Sequence, residues 1–362
     1  MDRRSFLKNS AIGGGAAVAT SLAAPAIAAG HARTLTMVTS WPEGFAVLDD
    51  AASYFTNAVN SMSGGSLTID KKTPGQLVGA LEVFDAVTSG QADMYHSADY
   101  YFGGQHPAYN FFTAVPFGAT AQELFNWYYN DGGQELHDEL GQIFGLKSFQ
   151  CGNSGSQSGG WFREEIKSVS DFQGLRYRMP GQGGQVLGKL GASVQNIPGG
   201  ELYQALSSGA LDGLEWVGPL ADERAGFQEV AKFYYAAGFH EPGSGLISSI
   251  NLDVWESLDS QQQAVLTNAA KAATIHQFSQ TMASNGAALE RLKAQGVTVL
   301  NFSDDVWDAF GAASKEVRDE PMGDELYAKV RASFEASLAN SSSWLQQSDG
   351  FYLQQRNRVM GG

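Results

Sequence analysis

The sequence is poor in cysteine and in positive charge. Cys151 is the single cysteine among 362 residues, so the chain can form no internal disulfide and offers no cysteine cluster for zinc or an iron–sulfur centre. Lysine and arginine number 23 against 38 aspartates and glutamates, which gives a net charge of −15. Because phosphates are bound by clustered Lys and Arg, this balance argues against nucleic acid and anionic membrane surfaces as main partners.

The short motifs of common enzyme classes are also missing. The chain has neither the Gly-x-x-x-x-Gly-Lys-Ser/Thr loop of nucleotide-binding proteins nor the Gly-x-Ser-x-Gly turn of hydrolases. Residues 181–184 (Gly-Gln-Gly-Gly) resemble the start of a dinucleotide-binding loop, but Val186 stands where the third glycine is needed. None of the six histidines follows the His-Glu-x-x-His spacing of zinc hydrolases. No motif therefore supports a hydrolase or an oxidoreductase.

Residues 1–29 have the features of an export signal. Arg3 and Arg4 precede Phe-Leu-Lys, as in a twin-arginine signal, and a weakly apolar stretch rich in Ala and Gly follows. The triplet 26–28 (Ala-Ile-Ala) fits the small-x-small site of a signal peptidase. The alternative is a membrane anchor, but the apolar stretch is shorter than the ~20 residues that a span needs. We expect cleavage near residue 28 or 29 and a mature, soluble protein in the periplasm.

The mature chain reads as an α/β protein with an internal repeat. Residues 34–96 alternate strand-like and helix-like segments, which is typical of an α/β lobe. Residues 82–93 and 201–212 share Glu, an aromatic residue, Ala, an aliphatic residue, Ser-Gly and Asp at identical spacing. Each copy predicts a helix that ends at a glycine and leads directly into a strand. If the match is not chance, the chain forms two similarly built lobes.

One long helix is predicted over residues 260–295. A capping box at residues 260–263 (Ser-Gln-Gln-Gln) opens it, and apolar residues recur at helical spacing along it. A helix of this length could brace both lobes.

The C-terminal tail, residues 321–362, is predicted to be helical. It is too apolar to be a purely disordered segment, because it contains Trp344, Leu345, Phe351, Tyr352 and Leu353. It packs either on the same chain or on a second subunit, so a homodimer through this tail is a further expectation.

Two arginines and one glutamate are the strongest candidates for a binding site. Arg176 and Arg178 share one face of a predicted strand that ends at a Pro-Gly turn, where a guanidinium and helix amides could hold an anion. The alternative for Arg178 is a surface salt bridge. Glu215 lies between apolar neighbours, and a buried carboxylate is costly unless a cation pairs with it. It therefore pairs with Arg176 or Arg178, ligates a metal ion, or does both.

Four segments around these residues form a specific combination. They are 174–181 (Gly-Leu-Arg-Tyr-Arg-Met-Pro-Gly), 198–201 (Pro-Gly-Gly-Glu), 208–213 (Ser-Gly-Ala-Leu-Asp-Gly) and 215–219 (Glu-Trp-Val-Gly-Pro). Together they resemble the DctP-type periplasmic solute-binding proteins of TRAP transporters. The second and fourth segments are similar to the branch that binds 2-oxo or 2-hydroxy acids with a metal ion. Further segments fit the same branch, namely 39–42, 74–78, 114–118 and 238–243.

The resemblance covers about residues 34–300 and implies a two-lobed, periplasmic-binding-protein-like α/β fold. A ligand cleft lies between the lobes, and the long helix spans both. Lobe I would comprise residues 31–152 with a return segment around 245–260. Lobe II would comprise residues 153–244 with part of 296–320.

The resemblance also implies a set of binding residues. Arg178 matches the arginine that clamps the ligand carboxylate. Gln157, Glu215 and the backbone carbonyl of Trp216 match the ligands of a cation, Na⁺ or Ca²⁺, which also touches the carboxylate and the 2-oxygen of the ligand. The expected pocket walls are Asn153, Trp161, Tyr100 and Phe117. The polar runs 154–158 and 181–184 depart from the family pattern and could change the size of ligand accepted.

The function implied by the resemblance is a receptor and not an enzyme. Such a receptor would bind a pyruvate-like 2-oxo monocarboxylate or a 2-hydroxy acid and deliver it to the membrane subunits of a TRAP permease. One alternative is a receptor of a sensor system with the same ligand. Another is an exported lyase or hydrolase with Glu215 as base, although the sequence offers no matched acid or nucleophile.

Overall fold

The computed structural model describes residues 32–361, so the predicted export signal at residues 1–29 lies outside the described part. The strands are β1 (Arg33–Thr39), β2 (Leu67–Lys72), β3 (Met94–Ser97), β4 (Leu146–Asn153), β5 (Gly160–Phe162), β6 (Arg176–Arg178), β7 (Ser193–Gln195), β8 (Gly213–Leu214), β9 (Phe233–Tyr235), β10 (Gly245–Asn251) and β11 (Thr298–Leu300). The helices are α1 (Leu48–Met62), α2 (Val83–Thr88), α3 (Tyr109–Thr113), α4 (Ala121–Asn130), α5 (Gly133–Ile143), α6 (Gly181–Lys189), α7 (Leu202–Ser207), α8 (Pro219–Ala225), α9 (Leu252–Glu256), α10 (Ser260–Ala294), α11 (Asp304–Asp319), α12 (Glu325–Leu345) and α13 (Phe351–Met360). Short 3-10 helices cover Asp99–Phe102, Val169–Phe172, Gly199–Glu201, Phe227–Glu229 and Glu320–Gly323, and a π-helical turn covers Gln346–Gly350.

Two mixed sheets organise the chain. The first has the order β2-β1-β3-β10-β4, with β1 parallel to β2 and β3, and β10 antiparallel to β3 and β4. The second has the order β11-β9-β5-β8-β6-β7, with β5 antiparallel to both of its neighbours. Helices connect the parallel strands, as the βαβ rule requires. The α/β prediction is confirmed, while the residue boundaries given for the two lobes stay a prediction, in which these sheets would be the lobe centres.

The sequence repeat corresponds to the same substructure in each sheet. Helices α2 and α7 both end before a glycine in the left-handed region, Gly90 (φ 77°) and Gly209 (φ 76°), and a strand follows each glycine. The last residue of each repeat, Asp93 or Asp212, donates its backbone N–H to a carbonyl of a neighbouring strand, that of Thr36 in β1 or Arg176 in β6. Each carboxylate also accepts the N–H of that strand residue, at 2.7 Å and 2.9 Å respectively. The matched residues are therefore those that turn the chain and hold the next strand in register.

The long helix α10 has 35 residues and packs against elements of both sheets. It contacts β4 and α1 on the side of the first sheet and α8 on the side of the second. Its capping box lies one residue earlier than predicted, because Asp259 accepts the Gln262 N–H at 2.8 Å while Gln262 Oε1 accepts the Asp259 N–H at 3.2 Å. Asp259 has extended backbone and an ionised acceptor, so it serves as the N-cap, and Ser260 is already helical.

The tail divides into a packed and an exposed part. Tyr327, Val330 and Phe334 of α12 are buried among the aromatic residues of the first lobe, including Phe111 and Trp127. Further along, large apolar side chains stay exposed, namely Trp344, Phe351, Tyr352, Leu353, Val359 and Met360. Within residues 32–361, no helix is both long enough and apolar enough to cross a membrane.

The repeat glycines allow a direct stability test. A Cβ at Gly90 or Gly209 would meet no atom within 4 Å, so replacement by alanine costs only the strain of the left-handed backbone, about 1–2 kcal/mol. We expect Gly90→Ala and Gly209→Ala each to lower the free energy of unfolding by about that amount in urea titrations. The matched control is Gly286→Ala, since Gly286 lies in α10 without steric conflict and should gain about 0.5–1 kcal/mol. Equal effects at all three positions would contradict the role given to the repeat.

Candidate functional site

Arg178 is the centre of the candidate site. It lies at the end of β6 with only 1% of its surface exposed. Its Nε donates to the Ile197 carbonyl (3.2 Å), Nη1 donates to both the carbonyl (3.0 Å) and the carboxylate of Glu215, and Nη2 donates to the Tyr101 hydroxyl (3.2 Å). The guanidinium carbon lies 5.3 Å from the centre of the Trp216 ring. Burial opposes the charge, but Glu215 together with Tyr101 and Tyr100 outweighs it and keeps the pKa of Arg178 above its ordinary value.

The two arginines of β6 have different roles. Arg176 lies on the exposed edge and forms a bidentate pair with Asp212. Glu215 pairs with Arg178 and not with Arg176. The ion pair was one of the alternatives that the sequence left open for this glutamate. An ion pair buried to this degree needs further polar partners to compensate for its lost hydration.

Those partners include a second acidic group and a histidine. Glu215 Oε2 lies 3.1 Å from His240 Nε2, which is 3.9 Å from Glu241 Oε1. One ligand atom from each of these three residues lies within 4.8 Å of the others, and all three residues are buried. Burial raises the pKa of Glu241 to about 7, with Glu215 adding to the effect. Burial lowers the pKa of His240, but the hydrogen bond to Glu215 and the negative charges of Glu215 and Glu241 together more than compensate, so the pKa is raised.

A backbone hydrogen bond holds Gln157 next to this cluster. Its N–H donates to the Glu241 carbonyl (2.9 Å), and its Nε2 donates to the Ser154 hydroxyl (3.0 Å). Gln157 Oε1 and Glu241 Oε2 are buried and find no hydrogen-bond partner among the described residues. Oxygen atoms left unpaired in the interior are costly, and oxygen is the ligand type that Na⁺ and Ca²⁺ prefer. The residues present thus fit a hard cation.

Asp222 holds the segment that carries Trp216. Its Oδ1 accepts the N–H groups of Val217 (3.1 Å) and Gly218 (3.0 Å), and its Oδ2 accepts the Trp161 indole N–H (3.0 Å). Burial raises the pKa of Asp222 to about 7, although these donors oppose the shift. Trp161 itself is fully buried against Tyr234, behind the Trp216 segment.

Two adjacent tyrosines come from the short helix Asp99–Phe102. Tyr101 accepts from Arg178, while Tyr100 lines a narrow pocket together with His240 and Glu241. Asp99 anchors the start of the helix, since its carboxylate lies 2.8 Å from His137 Nε2 in a fully buried pair. The tyrosines are therefore positioned by the core of the first lobe.

The predicted site residues fall into two groups. Arg178, Glu215, Trp216, Gln157 and Tyr100 lie around the charged cluster. Asn153 lies in the turn before Gln157, where its Oδ1 accepts the Gly155 N–H at 2.8 Å. The structure does not bring Trp161 and Phe117 to the cluster. Phe117 is 40% exposed and packs against Phe239 and Trp307.

Four residues of the site were not assigned from the sequence. Tyr101 follows the assigned Tyr100, and His240 and Glu241 belong to the segment 238–243 that matched the family pattern. Their position next to an assigned residue or inside a matched segment was the signal that could have identified these three residues. Asp222 gave no such signal, because an aspartate near the start of a helix is usually a surface residue.

The chain is similar to several periplasmic binding proteins. The chain is 38% identical over 309 residues to the monocarboxylate 2-oxoacid-binding periplasmic protein of Nostoc sp. (strain PCC 7120), covering 85% of each chain. Two solved TRAP periplasmic solute-binding proteins are each 40% identical with a TM-score of 0.86. One is from Pseudoalteromonas atlantica T6c, with bound sodium and pyruvate, and covers 89% of this chain and 98% of its own. The other is from Colwellia psychrerythraea, with bound calcium and pyruvate, and covers 89% and 99%.

A family profile matches most of the described chain. The match runs over residues 37–324, from the first strand to the start of α12, and so includes every residue of the charged cluster. The chain belongs to the DctP family of bacterial extracellular solute-binding proteins, family 7.

Proposed function

We propose that this protein is an extracytoplasmic receptor that binds a pyruvate-like 2-oxo monocarboxylate together with Na⁺ or Ca²⁺ and delivers it to a TRAP permease. The observation that carries the proposal is the buried guanidinium of Arg178 beside a cluster of oxygen atoms that lack partners. The related proteins that hold pyruvate with sodium or calcium support the same assignment. Membership in a solute-binding family distinguishes the chain from the exported lyase or hydrolase considered above.

Arg178 would hold the ligand carboxylate. Nη1 donates to Glu215, and one N–H of Nη2 donates to Tyr101. The second N–H of Nη2 is left for the ligand. A charge-assisted hydrogen bond of this kind contributes about 1.5–3 kcal/mol. Because Ile197 and Glu215 carbonyls fix the guanidinium plane, little rotamer freedom remains to be lost on binding.

Gln157, Glu215 and the Trp216 carbonyl would hold the cation. When bound, a hard cation of this type supplies simultaneous chelation of a carboxylate oxygen and the adjacent 2-oxygen. Asp222 keeps the Trp216 segment in place through Val217 and Gly218, and Ser154 orients the Gln157 amide so that Oε1 is free. We also assign Asn153 and Tyr100 to the pocket, whereas Trp161 would support it from behind and Phe117 would contribute only at its edge.

The cellular setting of the proposal rests on the N-terminus. Residues 1–29 would be a twin-arginine signal, and the mature protein would act in the periplasm. A sensor receptor with the same ligand would have the same site, and only the partner would differ.

We propose further that the exposed tail forms a homodimer. Trp344, Phe351 and Tyr352 are each more than half exposed, and contiguous apolar surface of this kind commonly marks a protein–protein contact.

A matched pair of arginines tests the ligand clamp. We expect Arg178→Lys, which keeps the charge but loses the planar fork, to weaken pyruvate binding by about tenfold or more in calorimetry, equivalent to at least one lost charge-assisted bond of about 1.5 kcal/mol. Arg176→Lys, two residues away on the exposed end of the same strand, should bind like the unchanged protein. Unchanged affinity in the Arg178 variant, with native thermal melting, would refute the clamp.

The tail can be tested by truncation. A chain that ends at Leu345 lacks α13 but keeps the buried residues of α12, so it should fold normally. We expect sedimentation velocity to show a dimer for the mature protein and a monomer for the shortened chain. A monomer in both cases would rule out the dimer.

A further inference from the structure

Gln182 is a buried amide at one end of the ligand pocket. It lies in the first turn of α6 with 2% of its surface exposed. Together with Tyr100, Pro180, His240 and Glu241 it lines a small cavity of about 10 Å³, roughly the space of one water molecule. Since His240 and Glu241 also belong to the charged cluster, this cavity adjoins that cluster on the side of α6.

The orientation of the Gln182 amide follows from its neighbours. The Tyr327 hydroxyl has one proton, which it donates to the Arg318 carbonyl at 3.0 Å. It must therefore accept from Gln182, whose Nε2 lies 3.2 Å away. The amide nitrogen is thus fixed towards Tyr327, and the amide oxygen is left without a partner among the described residues.

Tight packing keeps this end of the pocket in place. A Cβ at Gly181 would lie 3.1 Å from both Tyr100 and Asn110, and a Cβ at Gly183 would lie 2.7 Å from His240. The start of α6 therefore packs directly against Tyr100 and His240, which line the same cavity as Gln182. This packing holds the helix start in place, and the bond to Tyr327 holds the amide with its oxygen unpaired.

We propose that Gln182 makes this receptor selective for 2-oxo acids that carry a hydroxyl group beyond carbon 2, and this inference rests on the proposed function. A distal hydroxyl donates to the amide oxygen, whereas an alkyl group of the same size displaces water and leaves that oxygen unpaired. A site built around a buried polar group rejects the ligand that lacks the matching group more strongly than it rejects a small difference in size. A distal carboxylate has no proton to donate and is disfavoured for the same reason.

Isosteric ligand pairs test the inference. The pairs are 3-hydroxypyruvate with 2-oxobutyrate, and 4-hydroxy-2-oxobutyrate with 2-oxopentanoate. They test a hydroxyl group on carbon 3 and one on carbon 4. Affinities are measured by calorimetry with sodium and calcium present. We expect the hydroxylated member of at least one pair to bind about tenfold or more tightly, as one matched hydrogen bond would give.

Two variants should abolish this preference. Gln182→Leu removes the acceptor at similar volume, so the hydroxylated and alkyl ligands should bind equally. Tyr327→Phe removes the group that orients the amide, so the preference should fall in a variant that keeps Gln182. The matched control is Gln228→Leu, because Gln228 is also buried with an unpaired amide oxygen but lies outside the pocket.

The outcomes separate the inference from the proposed function. If the unchanged protein binds pyruvate but prefers neither hydroxylated ligand, or keeps the same preference in Gln182→Leu, the role of Gln182 is wrong and the receptor function stands. If no 2-oxo acid binds at all, the proposed function itself fails. Loss of preference in the Gln228 control would likewise overturn the assignment, since the effect would not be local.

Discussion

The ion pair between Arg178 and Glu215 sets the demands that the rest of the site meets. Both groups are buried, and a guanidinium without water must find partners for its donors inside the protein. Backbone carbonyls of Ile197 and Glu215 and the Tyr101 hydroxyl provide them. The glutamate in turn contacts His240, and His240 lies next to Glu241. The result is a compact set of charges that is nearly, but not fully, compensated by the protein alone.

The proposed binding capacity depends on this incomplete compensation. Within residues 32–361, Gln157 Oε1 and Glu241 Oε2 accept no hydrogen bond, and oxygen atoms are the ligands that a hard cation prefers. The supporting residues are themselves held by buried polar contacts, Asp222 under the Trp216 segment and Asp99 with His137 under the two tyrosines. Such preorganisation lowers the entropy lost on binding. Arg178 ends a strand of the second sheet and donates to Tyr101, which follows a strand of the first, so the contacts of Arg178 join elements of the two sheets.

Local sequence patterns predicted the elements that depend on local chemistry. The two copies of the helix–glycine–strand repeat were recognisable because left-handed turns favour glycine and because the aspartate that follows bonds to the adjacent strand. The long helix was recognisable from its periodicity, although its N-cap was placed at Ser260 instead of Asp259. Glu215 was expected to pair with Arg176 or Arg178 or to ligate a metal ion, because a buried carboxylate needs a cation, and the structure shows the pair with Arg178.

Long-range contacts could not be predicted in the same way. His240 lies 25 residues after Glu215, and no pattern in the sequence states that the two side chains meet. Trp161 was a pocket wall only by resemblance to the family, and a short motif does not state which way its ring packs; in the structure its indole N–H donates to Asp222 behind the Trp216 segment. The orientation of the Gln182 amide depends on Tyr327, which is 145 residues away in the chain.

The most direct test of the account is the mutual dependence of the cation and the anion. Protein stripped of metal is titrated with pyruvate at increasing calcium or sodium concentration, and the ion is then titrated at increasing pyruvate. If Arg178 and the cation hold the same carboxylate, each ligand must tighten the other by the same factor, because such coupling is reciprocal. Pyruvate affinity that is independent of both ions would contradict the shared site.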